Sequence, residues 1–299
     1  MTQPAISMTY EAHSAEPEYI ETNRALIASL ELSGVDRLLD LACGTGLLSE
    51  LVLERRPGLA VVGLDLAREQ LELLQERFRA KGQFAGNGVD ARAQGLPAFL
   101  LLEGSADTLP LAAEAVDAVI MGNAIHNLPD RERLLAEIFR VLRPGGFFAW
   151  NSAFYAGTYV PGTEKFHQAW VKEALLYVLN RDRKLRAQGL PGITRKRGTF
   201  GPAFSKRWLL PAEWRAFIEK AGLEVTRVHE RDVAMTRRSY ETVGSYGGFA
   251  SAVLAGYPIE LACEALQAAV APALGATGFT TVPARWLEMT AVKPRGGSR

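Results

Sequence analysis

Four polar residues in the first half of the chain each follow a short apolar run. Asp40 comes after Leu38-Leu39 and leads into Leu-Ala-Cys-Gly44-Thr-Gly46. Asp65 closes Leu59–Leu64 and is followed by Leu66; Ser105 follows Ala98–Glu103 and Gly104; Asn123 stands just past Ala115–Met121. Two glycines two residues apart permit a tight turn whose backbone can lie against a ligand, because glycine tolerates positive φ and has no Cβ. A carboxylate set before such a turn repels a pyrophosphate and suits a ligand that carries positive charge.

Two nucleotide families use a strand, a glycine loop and a helix. In the dinucleotide fingerprint, Gly-x-Gly-x-x-Gly directly follows the strand, so that pyrophosphate sits on the helix N-terminus. Here the strand ends on Asp40 instead, and Ser49 occupies the third glycine position. Asp-x-x-x-Gly-x-Gly fits S-adenosylmethionine (SAM), with its ammonium and sulfonium, better than NAD.

The histidines and cysteines offer further candidates. His126, just past the fourth strand, reads either as a structural or cofactor-orienting group or as a general base. Glu164 and His167, one turn apart on a later helix, are a second candidate catalytic pair, set against the plainer reading of a solvated helix face. Cys43 fits its loop as a small packing residue and Cys263, in an Ala-rich helix, as core. No Cys/His spacing suggests a metal site.

The elements that must position these residues follow from periodicity and punctuation. Helical spacing over 16–32 stops at Ser33-Gly34. Strands are expected at 37–42, 59–64, 98–103, 115–121 and 147–151, with helices to about Arg56, over 67–80 and after Pro129-Asp130. Each strand is a near-continuous apolar run, which argues a parallel sheet covered on both faces. Ligands of such sheets bind at strand carboxyl ends, where the strand order reverses. Asp40, Asp65, Ser105 and Asn123 all fall there. Beyond residue 151 the rhythm changes to a long helix over 162–188, a short helix at 211–222, an alternating strand at 223–235, helices over 239–274 broken at Gly256-Tyr-Pro258, and a last strand at 286–292.

Five segments in order resemble the motif series of class I SAM-dependent methyltransferases, most closely the branch acting on small molecules. They are Leu39-Asp-Leu-Ala-Cys-Gly-Thr-Gly46, Val62-Gly-Leu-Asp65, Glu103-Gly-Ser-Ala-Asp-Thr-Leu-Pro110, Ala124-Ile-His-Asn-Leu-Pro129 and Val141-Leu-Arg-Pro-Gly-Gly146. The resemblance is close over about 10–151 and looser over 211–235 and 285–293. It implies a Rossmann-like α/β fold, a doubly wound and mostly parallel seven-stranded sheet with an antiparallel seventh strand at one edge. It also implies an N-terminal lid helix (1–35), a SAM-binding core (36–151), helical cap insertions (152–210 and 236–284), a core helix and strand (211–235) and a last strand with tail (285–299). Asp40 would organise the loop near the SAM amino group, with backbone at Ala42, Gly44 and Gly46 along the methionine. Asp65, with Leu66 beside it, would take the ribose hydroxyls. Ser105 and the Ala106 N–H would face the adenine, and Asn123 would lie beside the cofactor.

Methyl transfer from a sulfonium is an in-line displacement with an activated leaving group. Holding acceptor, methyl and sulfur collinear in a dry site can therefore do much of the work, and a base is needed only if the acceptor loses a proton. The acceptor is expected to be a small, apolar, aromatic or terpenoid metabolite, since 20 of the 26 aromatic residues lie after residue 146. Those aromatics either wall a pocket or bury the cap helices themselves. The alternatives are a tRNA or other nucleic-acid methyltransferase, a non-catalytic SAM-binding protein and a NAD-dependent oxidoreductase.

Composition bounds the rest. An apolar share of 48% and a charged share of 22% are those of an ordinary globular chain. A net charge of +1 gives no global pull toward nucleic acid or membrane, and neither is expected as a partner. Two cysteines suggest a reducing, cytoplasmic setting, and the N-terminus does not read as a signal peptide. Residues 181–207 are an exception, with nine Lys/Arg against Asp182. They read as a solvated face or as an anion-recognition patch, with Arg195, Lys196, Arg197 and Arg207 as candidate anchors.

Overall fold

A computed structural model describes residues 11–81, 99–196 and 207–296. The chain divides into two compact units. A sheet unit holds Ile20–Ala156, Trp208–Arg231 and Trp286–Arg299, and a helical unit holds Met1–Tyr19, Gly157–Arg207 and Asp232–Arg285.

Among the described residues seven strands are formed: β1 (Arg37–Leu41), β2 (Ala60–Asp65), β3 (Phe99–Glu103), β4 (Val116–Gly122), β5 (Leu142–Ser152), β6 (Glu224–Met235) and β7 (Val282–Val292). Their order is β3-β2-β1-β4-β5-β7-β6. β1 pairs in parallel with both β2 and β4, so the strand order reverses between β1 and β4. β7 runs antiparallel to β5. The sheet is thus α/β, doubly wound and mostly parallel, but the antiparallel seventh strand lies one place in from the edge and β6 takes the edge itself.

The central strands alternate between two cores, as a pleated strand must. Leu39 and Leu41 of β1, Val119 and Met121 of β4, and Phe148 and Trp150 of β5 share one core. Leu38, Ala118, Ile120 and Ala149 belong to the other. The first core is covered by α5 (Arg131–Val141), through Leu134, Leu135, Ile138 and Val141, and by Trp214 and Ile218 of α7 (Pro211–Lys220). The second is covered by α3 (Leu47–Arg55) and by Leu71, Leu74 and Phe78 of α4 (Arg68–Ala80).

Two expected boundaries move. The helix expected over 16–32 is α2 (Pro17–Ala28), preceded by the short α1 (Glu11–Ser14), and it ends before Leu30 and Leu32, which reach the core from irregular chain. Arg143-Pro-Gly-Gly146 does not end α5 as a free turn, since β5 begins at Leu142 and bulges there: Val116 pairs with Leu142 and Ala118 with Phe147. Gly146 is pressed against its neighbours, and a Cβ would lie 2.7 Å from the Asp117 carbonyl oxygen.

The helical unit is built on α6 (Glu164–Ala187), which packs along α10 (Ile259–Thr277), with α8 (Arg237–Ser245) and α9 (Gly247–Val253). By length and composition α10 could cross a membrane. It carries Glu260 and Glu264, however, and its buried face of Ala262, Cys263, Leu266, Ala269, Val270 and Ala273 lies in this unit's core.

Candidate active site

The glycine loop is held from both ends by carboxylates. Asp40, buried near the end of β1, accepts from the backbone N–H of Ser49 at 3.0 Å and from its hydroxyl at 2.6 Å. The serine at the third glycine position therefore has a structural partner, and Asp40 caps the first turn of α3 in place of the N-cap residue, Gly46. Asp65 accepts from the Gly44 N–H at 2.8 Å through Oδ2 and from the Ala67 N–H at 2.9 Å through Oδ1. The ends of β1 and β2 are thus tied to one loop.

Backbone conformation marks the same place. Ala42 has φ +56° after β1 and Asn123 has φ +47° after β4, the two strands that flank the reversal. Left-handed residues other than glycine are uncommon and concentrate at functional sites. Gly46 has φ +86°, and a Cβ there would lie 2.8 Å from Leu74 Cδ1, so the loop packs tightly on α4. Gly44, at φ +51°, faces open space, with nothing within 4 Å of an added Cβ.

Burial drives the Asp40 carboxyl up to about 7, against the pull of the Ser49 hydrogen bonds, and the nearby Asp65 charge adds to the rise. The Cys43 thiol is pushed well up by burial and by both carboxylates, which makes it inert packing in this loop.

The Ser105–Leu111 loop is clamped by α5. Arg133 donates to the Asp107 carbonyl and Thr108 Oγ1, both at 2.9 Å; Glu137 accepts from the Leu109 N–H at 2.8 Å; Arg140 donates to the Leu111 and Leu109 carbonyls. The Ser105 hydroxyl donates to Asp107 Oδ1 at 2.6 Å, which holds that carboxyl below its ordinary range. Ala106 is buried in the core, while Leu66, next to Asp65, is 73% exposed.

A buried amide chain finishes the strand ends. The Asn123 N–H donates to Asn151 Oδ1 at 2.9 Å, Asn123 Oδ1 accepts from the Ala153 N–H, and Asn151 Nδ2 donates to Asn23 Oδ1 at 2.9 Å. Sequence reasoning missed Asn23, Asn151 and Ser152. A signal existed for two of them, because Asn151-Ser152 is a polar pair closing an apolar strand.

Residues 39–150 match the model of a methyltransferase domain family. A demethylmenaquinone methyltransferase of Thermus thermophilus is 37% identical over 123 residues, 41% of this chain and 49% of that one. A phthiotriol/phenolphthiotriol dimycocerosates methyltransferase of Mycobacterium ulcerans is 32% identical over 150 residues, 50% of this chain and 49% of that one. The chain spans about half the length of these curated relatives or less. Among solved structures, the [4+2]-cyclase SpnF aligns over 93% of this chain and 82% of its own, at 19% identity and a TM-score of 0.53, a likeness of fold alone. Residues 39–150 are thus a methyltransferase domain by sequence.

Within the methyltransferase domain, His126 sits in a 3-10 turn (Ile125–Asn127) after β4. Its Nδ1 lies 3.0 Å from Ser152 Oγ, and its ring packs 4.0 Å from that of Phe154. Burial lowers its pKa to about 3, with the Arg131 charge adding to the fall, so the imidazole is neutral at pH 7 and a weak base.

Glu164 and His167 belong to the helical unit, where each is hydrogen-bonded to other groups while the Glu164 charge still acts on the His167 ring. Glu164 is exposed and accepts from the Gly162 N–H at 2.7 Å. His167 lies 3.0 Å from the Thr163 carbonyl through Nδ1 and 3.3 Å from the Tyr240 hydroxyl through Nε2. A carbonyl only accepts, so the neutral ring carries its proton on Nδ1 and accepts from Tyr240. Phe166, Trp170, Tyr240 and Phe249 pack ring on ring in that unit's own core. For Phe166 and Trp170, the reading in which aromatics bury the cap helices holds. In the basic stretch, Arg195 donates to the Ala255 carbonyl and lies over the Tyr257 ring. Arg197 and Lys206 lie outside the described residues.

Proposed function

We propose that this chain is a SAM-dependent methyltransferase acting on a small apolar metabolite, of lipid-like, aromatic or terpenoid character. The observation that carries the donor is the pair of left-handed residues, Ala42 and Asn123, at the two strand ends flanking the reversal, with Asp40 and Asp65 beside them. The residues suit SAM. Each Asp65 oxygen accepts one backbone N–H, which leaves lone pairs for two ribose hydroxyls. Leu66 offers an exposed apolar side chain for a flat base, and open space at Gly44 admits a ligand against the backbone. The buried Asp40 carboxyl, ionised beside a cation, would set the electrostatics of the loop.

When bound, SAM supplies an electrophilic methyl group on a sulfonium. The chain's own contribution would be binding, orientation and exclusion of water, with Asn123 held rigid by Asn151 and the neutral His126 fixed by Ser152. An apolar acceptor is supported by relatives named for ubiquinone/menaquinone and phthiotriol dimycocerosate methylation. Calorimetric titration with SAM against NAD tests the donor. Formation of S-adenosylhomocysteine on incubation with demethylmenaquinone or phthiotriol dimycocerosates, and not with tRNA, tests the acceptor class. Tight SAM binding with no turnover on any acceptor would instead support a SAM-binding protein without catalysis.

A further inference from the structure

The helix α6 has two apolar faces, and packing within its unit explains one of them. Phe166, Trp170, Ala174 and Val178, four residues apart, are buried in the helical unit. A surface helix ordinarily carries polar side chains opposite such a stripe. Here Val171, Leu175, Leu176 and Leu179 line an open apolar groove of about 650 Å³ together with His167, Gln168 and Lys172. Leu176 is 40% exposed and Leu179 50%. Single exposed leucines are common on proteins, but a groove of them on one helix face is not.

Charge brackets that face. Lys172, Leu176, Leu179, Arg183 and Arg186 are spaced four, three, four and three residues apart, which puts all five on one seam of the helix. All five are exposed. Arg186 pairs with Asp182 at 2.8 Å, while Lys172 and Arg183 have no ion pair among the described residues. Cations above and below an apolar centre suit an anionic interface, since lysine and arginine stems lie along apolar surface while their heads reach phosphate. A second copy packed antiparallel about the leucines would set Lys172 against Arg183, like charge against like.

We propose that this seam of α6 is a docking surface for an anionic lipid bilayer, with Leu176 and Leu179 entering the acyl boundary and Lys172, Arg183 and Arg186 meeting headgroup phosphates. The expectation of no membrane partner rested on overall charge, which does not describe a local interfacial face. The proposal is independent of the methyl-transfer reading.

The test is co-sedimentation of the full chain with vesicles of phosphatidylcholine containing one third phosphatidylglycerol, against vesicles of phosphatidylcholine alone. Preferential binding to the anionic vesicles, weakening as salt is raised, is expected. Lys172→Ala and Arg183→Ala should each lower the partition constant about 5-fold, and Leu176→Ser with Leu179→Ser should reduce it to the level seen on phosphatidylcholine alone. These positions are exposed, and unchanged circular dichroism would establish that the variants fold. Equal binding to both vesicle types, or anionic binding that survives the double leucine change, overturns the proposal. So does a dimer by light scattering that the leucine change dissociates, which would assign the face to a second copy.

Discussion

The sheet unit and the helical unit bury different things. At the strand ends of the sheet unit the interior holds Asp40, Asn123, Asn151, Ser152 and His126. Each of these has a partner within hydrogen-bond distance. The helical unit instead fills its centre with Phe166, Trp170, Tyr240 and the small residues of α10. Buried polar groups are costly unless paired, so a cluster of them survives only where a scaffold supplies every partner. Parallel strands ending side by side do this, because each carries its last side chain and free backbone groups to the same rim. Crossing helices satisfy their backbone internally and meet through side-chain volume. The helical unit also buries His13, Glu16 and Ser239, so the contrast is one of centres: polar pairing at the strand ends, packing of rings and small residues in the helical core.

The largest effect that could break this contrast is in the helical unit. Trp170→Ala removes a buried indole whose Nε1 donates to the Leu266 carbonyl at 2.8 Å. A loss of about 3–5 kcal/mol is expected, read by denaturant unfolding. SAM affinity measured where the variant is still folded should change little; a matching fall would dissolve the distinction.

Asp40 sharpens the other side. Its carboxyl has a folded pKa of about 7 against 3.8 when free, so the folded state holds the proton more tightly. Stability of the unliganded protein should therefore fall as pH rises between those values, by about 3 kcal/mol in order of magnitude. Asp40→Asn should flatten that slope in chemical denaturation. A cationic ligand nearby would favour the ionised form, so SAM binding at pH 6 should release a proton, seen as a buffer-dependent calorimetric enthalpy.

Asp65→Ala should weaken SAM binding by about 2–3 kcal/mol, as expected for loss of hydrogen bonds to a charged acceptor. If affinity is unchanged, the ribose assignment fails. His126 and His13 have the opposite sign from Asp40. Burial lowers them to about 3 and about 4, so their contribution is present above 6.5 and is lost as pH falls from there toward the folded values. His126→Gln should shallow this acid limb by about 1–2 kcal/mol at pH 5, followed by thermal melting. The smallest effect belongs to Ser105→Ala. Its hydroxyl already serves Asp107, and under about 1 kcal/mol in stability or SAM affinity is expected.

Much of the sheet unit was legible because its signals are local. Apolar runs, the glycine pair and the polar residue closing each strand are properties of five to nine consecutive residues. The helices over 67–80 and after Pro129-Asp130 followed from helical period and punctuation, and the structure buries their stripes Leu71, Leu74, Phe78 and Leu134, Leu135, Ile138. The role of Ser49 was not legible, since its partner is nine residues away across a turn. Neither was Glu288, fully buried in β7 and held by Arg227 and Arg231 of β6. The aromatics after residue 146 were ambiguous for a related reason, as composition counts rings but cannot say whether they face a ligand or one another.

By itself the chain of amino acids determined the strand–loop–helix with its carboxylate, the alternation of strands and helices, and which polar residues stand at strand ends. Those depend on backbone propensity and hydrophobic period, which act between near neighbours. Only the tertiary structure decided that Asp40 titrates near neutrality, that His126 is a neutral imidazole fixed by Ser152, that β7 inserts beside β5, and that α6 leaves a leucine seam uncovered. Desolvation, pairing and exposure are set by groups that are distant in sequence and adjacent in space.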